Sequence, residues 1–372
     1  MKNKIQGLKT IVLVVFVAVL LFVKPNFYLL SPGSAQDLKD FVSVPEAAGE
    51  DEGTFMLVTV SQRLATWPLL IYGLLHPAVE VIPLRSVIPP GMDQQKYNEL
   101  MQLWMEESQA LAKTLALRRA GYAVPIESEG VLVVEVLPDS PVREVLLPND
   151  IIKEIDGERV TVTDEFISLL QKRNPGEEVA LSFERNGEIL RETFTTVTHT
   201  TEEDKAALRI LVRTLWQPNL PLDIEINTGG ISGPSAGMMF VLEILNQLEP
   251  QDITGGKKIA GTGTVDLNEE IGAIGGVKQK VIAAEASGAE IFLVPEENYD
   301  EALKTAKKIK VVAVKNLQEV LDYLKTLEEE TSWREGEKLN SQGAHQEILP
   351  AFSCSRIGIQ EIVKVLSPDI QL

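Results

Sequence analysis

The stretch Gly229-Gly230-Ile231-Ser232-Gly233-Pro234-Ser235-Ala236-Gly237, followed at once by Met238-Met239-Phe240-Val241-Leu242, constrains this chain more than any other. It reads as a glycine-rich turn that runs straight into an apolar helix. A serine on such a turn can expose its hydroxyl while the backbone N–H groups at the helix start point at a reacting carbonyl. Ser235 is therefore a candidate nucleophile, with Gly233, Pro234, Ala236 and Gly237 shaping the turn and its oxyanion donors. A histidine base is not in evidence: His76, His199 and His345 are the only histidines, and none has a Gly/Ser/Asp-rich setting. A desolvated lysine can replace it, because burial drives off its proton and leaves an amine able to accept one from serine. Lys280 fits, since Val277, Val281 and Ala284 flank it at helical spacing on an otherwise apolar face, whereas Lys278 falls on a different face.

Composition removes several functional classes. With 372 residues, 44% hydrophobic, the chain can bury a core and form two or three folded units. Its net charge of −19 offers no basic stripe for a phosphate backbone, so no nucleic-acid partner is expected. Cys354 stands alone, which excludes an internal disulfide and a cysteine-based metal cluster. No metal and no cofactor are expected.

The N-terminus reads as a membrane-targeting segment. Lys2, Lys4 and Lys9 precede an unbroken apolar run of 13 residues, Ile11 to Val23, and a second patch follows at Phe27-Tyr28-Leu29-Leu30. Extending the run over 10–30 brings it to the roughly 20 residues that span a bilayer, with Lys24 able to snorkel. A cleaved signal peptide is the competing reading, but Gly33 and Ala35 lie farther beyond the run than a cleavage site normally does. A retained single-pass anchor over 10–30 is expected, with 1–9 cytoplasmic and the acidic sequence that follows outside the cytoplasm. Residues 31–52, rich in Pro, Gly and acids, read as a stalk.

Beyond the stalk, Phe55 to Val60 reads as a strand, and Leu100, Leu103, Trp104, Leu111 and Leu115 mark a helix that Gly121 ends. Between 123 and 198 the texture turns to short strands with turn signals, including Pro175-Gly176 and Asn186-Gly187. The phrase Pro148-Asn149-Asp150-Ile151-Ile152 with Ile155-Asp156-Gly157 in that order of elements resembles a PDZ domain. The resemblance implies a groove for an extended peptide, with the loop that holds its carboxylate near Gly130, Val131 and Leu132. A plain β-rich spacer is the alternative. A helix is expected over 202–215 and an alternating strand over 222–226. Strands and helices then alternate to about residue 327, giving an α+β class overall, and 328–372 forms a tail without assigned function.

Gly233-Pro234-Ser235-Ala236-Gly237, Thr262-Gly263 and Gly275-Gly276-Val277-Lys278-Gln279-Lys280, taken in order, resemble the proteolytic domain of the Lon protease family (S16-like), of the membrane-anchored type with a PDZ domain. The resemblance implies that Ser235 is the nucleophile, that Lys280, 45 residues on, is its base, and that Thr262 hydrogen-bonds the lysine. It also implies a homo-oligomeric ring. Ser232 and Thr264 depart from the family pattern, which leaves the pair of catalytic residues intact. Met105-Glu106-Glu107-Ser108-Gln109-Ala110-Leu111-Ala112 resembles a helix near the start of that proteolytic domain. The expected organisation is therefore a protease fold begun by 53–122, interrupted by a PDZ domain at 123–198 and completed by 199–327. No Gly-x-x-x-x-Gly-Lys-Ser/Thr loop occurs, because Gly255-Gly256-Lys257-Lys258 lacks the upstream glycine and the hydroxyl. The expected function is an ATP-independent serine endopeptidase acting on extracytoplasmic proteins or peptides. The alternative is a non-catalytic PDZ scaffold on a degenerate protease fold.

Overall fold

The computed structural model describes residues 25–329 except 46, 48–51, 90, 126–127, 200–201, 203 and 217–218. The segment 1–9, most of the expected span (10–24) and the tail from 330 lie outside the described residues. The principal strands are β1 (Phe27–Asp37), β2 (Thr54–Leu64), β3 (Glu80–Pro83), β4 (Ser128–Val136), β5 (Ile151–Ile155), β6 (Glu178–Arg185), β7 (Glu188–Thr195), β8 (Ile210–Trp216), β9 (Lys258–Gly261), β10 (Ile291–Pro295) and β11 (Lys310–Val314). The helices are α1 (Trp67–Leu75), α2 (Gln94–Arg119), α3 (Thr163–Leu170), α4 (Gly237–Leu248), α5 (Val277–Ala286) and α6 (Tyr299–Thr305).

One six-stranded sheet, in the order β11-β10-β9-β2-β1-β3, draws its strands from both ends of the described chain. β2 pairs in parallel with β9 and antiparallel with β1, so the N-terminal strands continue a parallel β9-β10-β11 block. Covering both faces of a strand buries every side chain on it, whatever the alternation. Phe55 and Leu57 thus pack on one side with α2 and α4, and Met56 and Val58 on the other with α5. Helix α2 is started by Asp93, whose carboxylate accepts from the Lys96 N–H at 2.9 Å, and ends where Gly121 turns left-handed at φ 89°. α4 is buried all round from Gly237 to Asn246, as a helix wedged between a sheet and a second helix must be.

Residues 128–216 build a second sheet, β8-β4-β5-β6-β7, antiparallel throughout, around Val131, Ile152, Phe166, Leu181 and Phe183. The stretch expected as a helix over 202–215 supplies its edge strand instead. Ile210, Val212 and Thr214 are β-branched at alternate positions, and pairing with β4 overrides the helical spacing of the residues before them. The alternating stretch 222–226 pairs only at Glu225–Ile226, with Val42–Ser43.

The N-terminal expectation also needs correction. Phe27–Leu30 does not extend an apolar span, and 31–37 is not stalk: all of it is β1, with Tyr28, Leu29 and Leu30 buried between β2 and β3. The apolar patch had a second use, as core. Among the described residues no helix is long and apolar enough to cross a membrane.

Candidate active site

Ser235 sits one residue before the N-cap of α4, on one face of the large sheet, and Lys280 sits within α5 on the other. They meet at Thr262, the residue after the end of β9, whose own N–H donates to the Leu293 carbonyl of β10 at 3.0 Å. The Lys280 Nζ lies 2.8 Å from Ser235 Oγ and 2.8 Å from Thr262 Oγ1. The three residues nominated from sequence are therefore in mutual hydrogen-bond contact.

Proton bookkeeping at Thr262 orients the pair. The Thr262 hydroxyl donates to the Ser235 carbonyl at 2.9 Å, which uses its one proton. Toward Lys280 it can then only accept. A neutral amine that donates one N–H to Thr262 keeps its lone pair for the Ser235 hydroxyl. Lys280 is 2% exposed, and burial pulls its pKa from 10.5 down to about 7, because no carboxylate is close enough to compensate the charge. Ser235 itself is only partly buried and opens onto the cleft.

The turn is rigidly held. Its Ser235 carbonyl also accepts from the Gly263 N–H at 2.9 Å, the Gly233 N–H donates to the Met101 carbonyl at 2.9 Å, and the Ser108 hydroxyl donates to the Pro234 carbonyl at 3.1 Å. Gly233 adopts φ 93°, which a side chain would strain, and a Cβ on Gly237 would come 2.8 Å from Ser108 Oγ. Among the described residues the N–H groups of Ser235 and Ala236 meet no acceptor, which leaves them available to a developing oxyanion at the start of α4. Ser108 and Met101 were missed as contributors. A signal existed for Ser108, which lies four residues before Ala112 and seven before Leu115 on the buried stripe of α2, where a polar side chain is out of place.

The cleft in front of Ser235 encloses about 770 Å³ and is lined by Leu57, Val60, Gln62, Tyr97, Met101 and Ile231. On the β9 side β2 is paired only from Thr54 to Leu57. Its continuation through Thr59 to Gln62 presents an unpaired backbone edge to the cleft.

Gly130, Val131 and Leu132, near which the carboxylate-holding loop is expected, lie on β4. Val131 pairs with both Thr214 and Ile152, and Leu132 with both Arg213 and Ile151, so β4 is interior. The edge strand is β8, and the groove between it and α3, about 710 Å³, is lined by Phe166, Ile167, Leu170, Leu208, Ile210 and Val212. At its other end the Thr214 N–H donates to the Glu107 carboxylate of α2 at 3.1 Å. Burial raises the pKa of Glu107, against the lowering effect of its bonds to Thr214.

Gly255 and Gly256 turn left-handed just before β9, and the carboxylate of Asp252 accepts from the N–H groups of Gly53, Thr254 and Gly256. Among the described residues no group of three His, Cys, Asp or Glu side chains is placed to hold a metal ion.

A Lon protease (S16) C-terminal proteolytic domain is present over residues 187–326 and a PDZ domain over 105–195. The chain is similar to Lon protease 2 of Bacillus subtilis, 39% identical over 30% of this chain and 20% of that protein. It is also similar to Lon protease of Trichlorobacter lovleyi, 30% identical over 28% of this chain and 14% of that protein. The matched part thus spans a fifth or less of these relatives' length. Among solved structures it resembles the PDZ domain of the SdrC-like protein from Listeria monocytogenes, 23% identical over 24% of this chain and 92% of that one, with a TM-score of 0.23.

Proposed function

We propose that this chain, with its Lon-type proteolytic domain and PDZ domain, is an ATP-independent serine endopeptidase in which Ser235 is the nucleophile, Lys280 the general base and Thr262 the group that positions Lys280. The observation that carries it is the buried Lys280 amine, with a pKa of about 7, set 2.8 Å from Ser235 Oγ. The neutral amine takes the serine proton as Oγ attacks the scissile carbonyl. The tetrahedral oxyanion is stabilised by the free N–H groups of Ser235 and Ala236, and Lys280 then gives its proton to the departing amine. Water, deprotonated by the same amine, releases the acyl group and restores the serine.

The unpaired edge of β2 fits an extended peptide backbone, and the groove between β8 and α3 fits a second one as an added strand. Both favour substrates that are already unfolded or short. We further propose that the PDZ domain is inserted into the protease fold, that the chain is held at a membrane by the apolar N-terminal segment that precedes β1 with its catalytic body outside the cytoplasm, and that it acts as a homo-oligomer.

The test is hydrolysis of an unfolded protein such as casein by the wild type, Ser235→Ala and Lys280→Ala, each with and without ATP. Hydrolysis by the wild type alone, unchanged by ATP, is expected. Equal turnover by all three would sink the Ser–Lys assignment, and stimulation by ATP would sink the nucleotide-free reading.

A further inference from the structure

Helix α1 carries its apolar side chains outward. Of its nine residues only Gly73 is buried, while Leu69, Ile71, Tyr72, Leu74 and Leu75 are exposed, the last two by 71% and 80%. No Asp, Glu, Lys or Arg occurs between Ala65 and Val79. Single exposed apolar residues are ordinary on any surface, and Tyr122, Leu147, Ile189 and Leu303 are of that kind. Five within one short helix form a patch of the sort that marks a contact surface.

The helix is firmly seated, so the outward face is part of the fold. A Cβ on Gly73 would come 3.0 Å from Val81 and 3.1 Å from Leu29, and Leu29, Ala65 and Val79 form a buried cluster with Phe27 and Leu70 packed against it. The Ala65 N–H donates to the Phe27 carbonyl at 2.8 Å.

Phe27 also identifies the occupant of the patch. The apolar run ends at Val23, four residues before β1 begins, and four residues reach at most about 14 Å. The end of that run is therefore tethered within about 14 Å of Phe27, which packs on the same buried cluster as Leu70 of α1. We infer that the exposed face of α1 lies in the headgroup region of the bilayer that holds the N-terminal apolar segment, as a short interfacial helix beside that anchor. Tyr72 suits that depth, because an aromatic ring with a polar tip is at home between acyl chains and water. Charge is sparse here: from Thr54 to Met92 the charged residues are Arg63, Glu80 and Arg85, and none of them lies on α1.

This inference rests on the anchored reading, and one experiment separates the two. The full chain bearing Cys354→Ser and Leu74→Cys is labelled with an environment-sensitive fluorophore and reconstituted into phosphatidylcholine/phosphatidylglycerol vesicles. A second sample carries the label at Leu303→Cys, an exposed leucine of α6. Flotation reports anchoring; emission and quenching by acyl-brominated lipid report the position of α1. The expected result is flotation of both, with the Leu74 label blue-shifted and quenched several-fold more than the Leu303 label. Flotation with an unshifted, unquenched Leu74 label leaves the anchor standing and overturns the inference. A shifted but unquenched label means that protein, such as a second copy of this chain, covers α1, and overturns it as well. Failure to float removes both.

Discussion

At the scale of single residues the chemistry turns on where protons reside. Lys280 has a pKa of about 7 against 10.5 in an exposed lysine, so its neutral, basic form grows in as pH rises through 7. Hydrolysis should accordingly climb with an apparent pKa of about 7 on its acid side, measured as kcat/KM against pH with an uncharged peptide; a flat profile through that range would contradict a lysine base. The same shift has a consequence for stability. Between about 7 and 10.5 the unfolded chain holds a proton at residue 280 that the folded chain has released, so unfolding free energy rises with pH across this window. Lys280→Met removes that dependence. Melting curves should show the variant's advantage over wild type greatest below pH 7 and narrowing above it. Thr262 offers a third check, because Thr262→Val keeps the volume and removes the hydroxyl that fixes both neighbours. Losing such a buried partner costs about 1–3 kcal/mol, or roughly fivefold to 150-fold in kcat. Thr262→Ser should restore most of it, and an unaffected Thr262→Val would show that Lys280 needs no such support.

Among the elements, α2 connects more of the molecule than its apolar stripe announced. Ser108 ties it to the nucleophile turn, Glu107 ties it to the edge of β8, and its buried leucines pack the core. The Thr214 residue that Glu107 caps is itself buried, so Glu107→Ala strands an N–H away from water and should cost on the order of 1–2 kcal/mol. Amide exchange of Thr214 should quicken markedly in that variant while exchange in β10 stays as in wild type. No change at Thr214 would mean that the carboxylate contributes nothing there. The misread elements share one physical cause. The stretch 202–215 has a local spacing that suits a helix, and Phe27–Leu30 has a local hydropathy that suits a span. In each case pairing with strands distant in sequence, β4 for one and β2 for the other, decides the backbone. Local spacing carries no information about such partners.

For the whole molecule, the decisive fact is that β2 lies between β1 and β9 in one sheet. A fragment starting at residue 198 would lack β1, β2, β3 and α2, leaving α4 and β9 without the surfaces that bury them. Such a fragment should show no cooperative thermal transition, and a stable, active one would contradict the proposed insertion. Much of the site was legible beforehand, because a glycine-rich turn before an apolar helix and a lysine on an apolar face are local patterns whose chemistry follows from residue type. The peptide groove was not, since the edge of a sheet belongs to the order of strands and not to any one of them, and Gly130 to Leu132 turned out to be interior. The sequence by itself determined which side chains can react and which segments must be buried, through composition and spacing along a few turns. Only the tertiary structure decided that Ser235 and Lys280, on opposite faces of a sheet, meet where β9 ends, and that the groove opens along β8, because those depend on contacts between residues far apart in the chain.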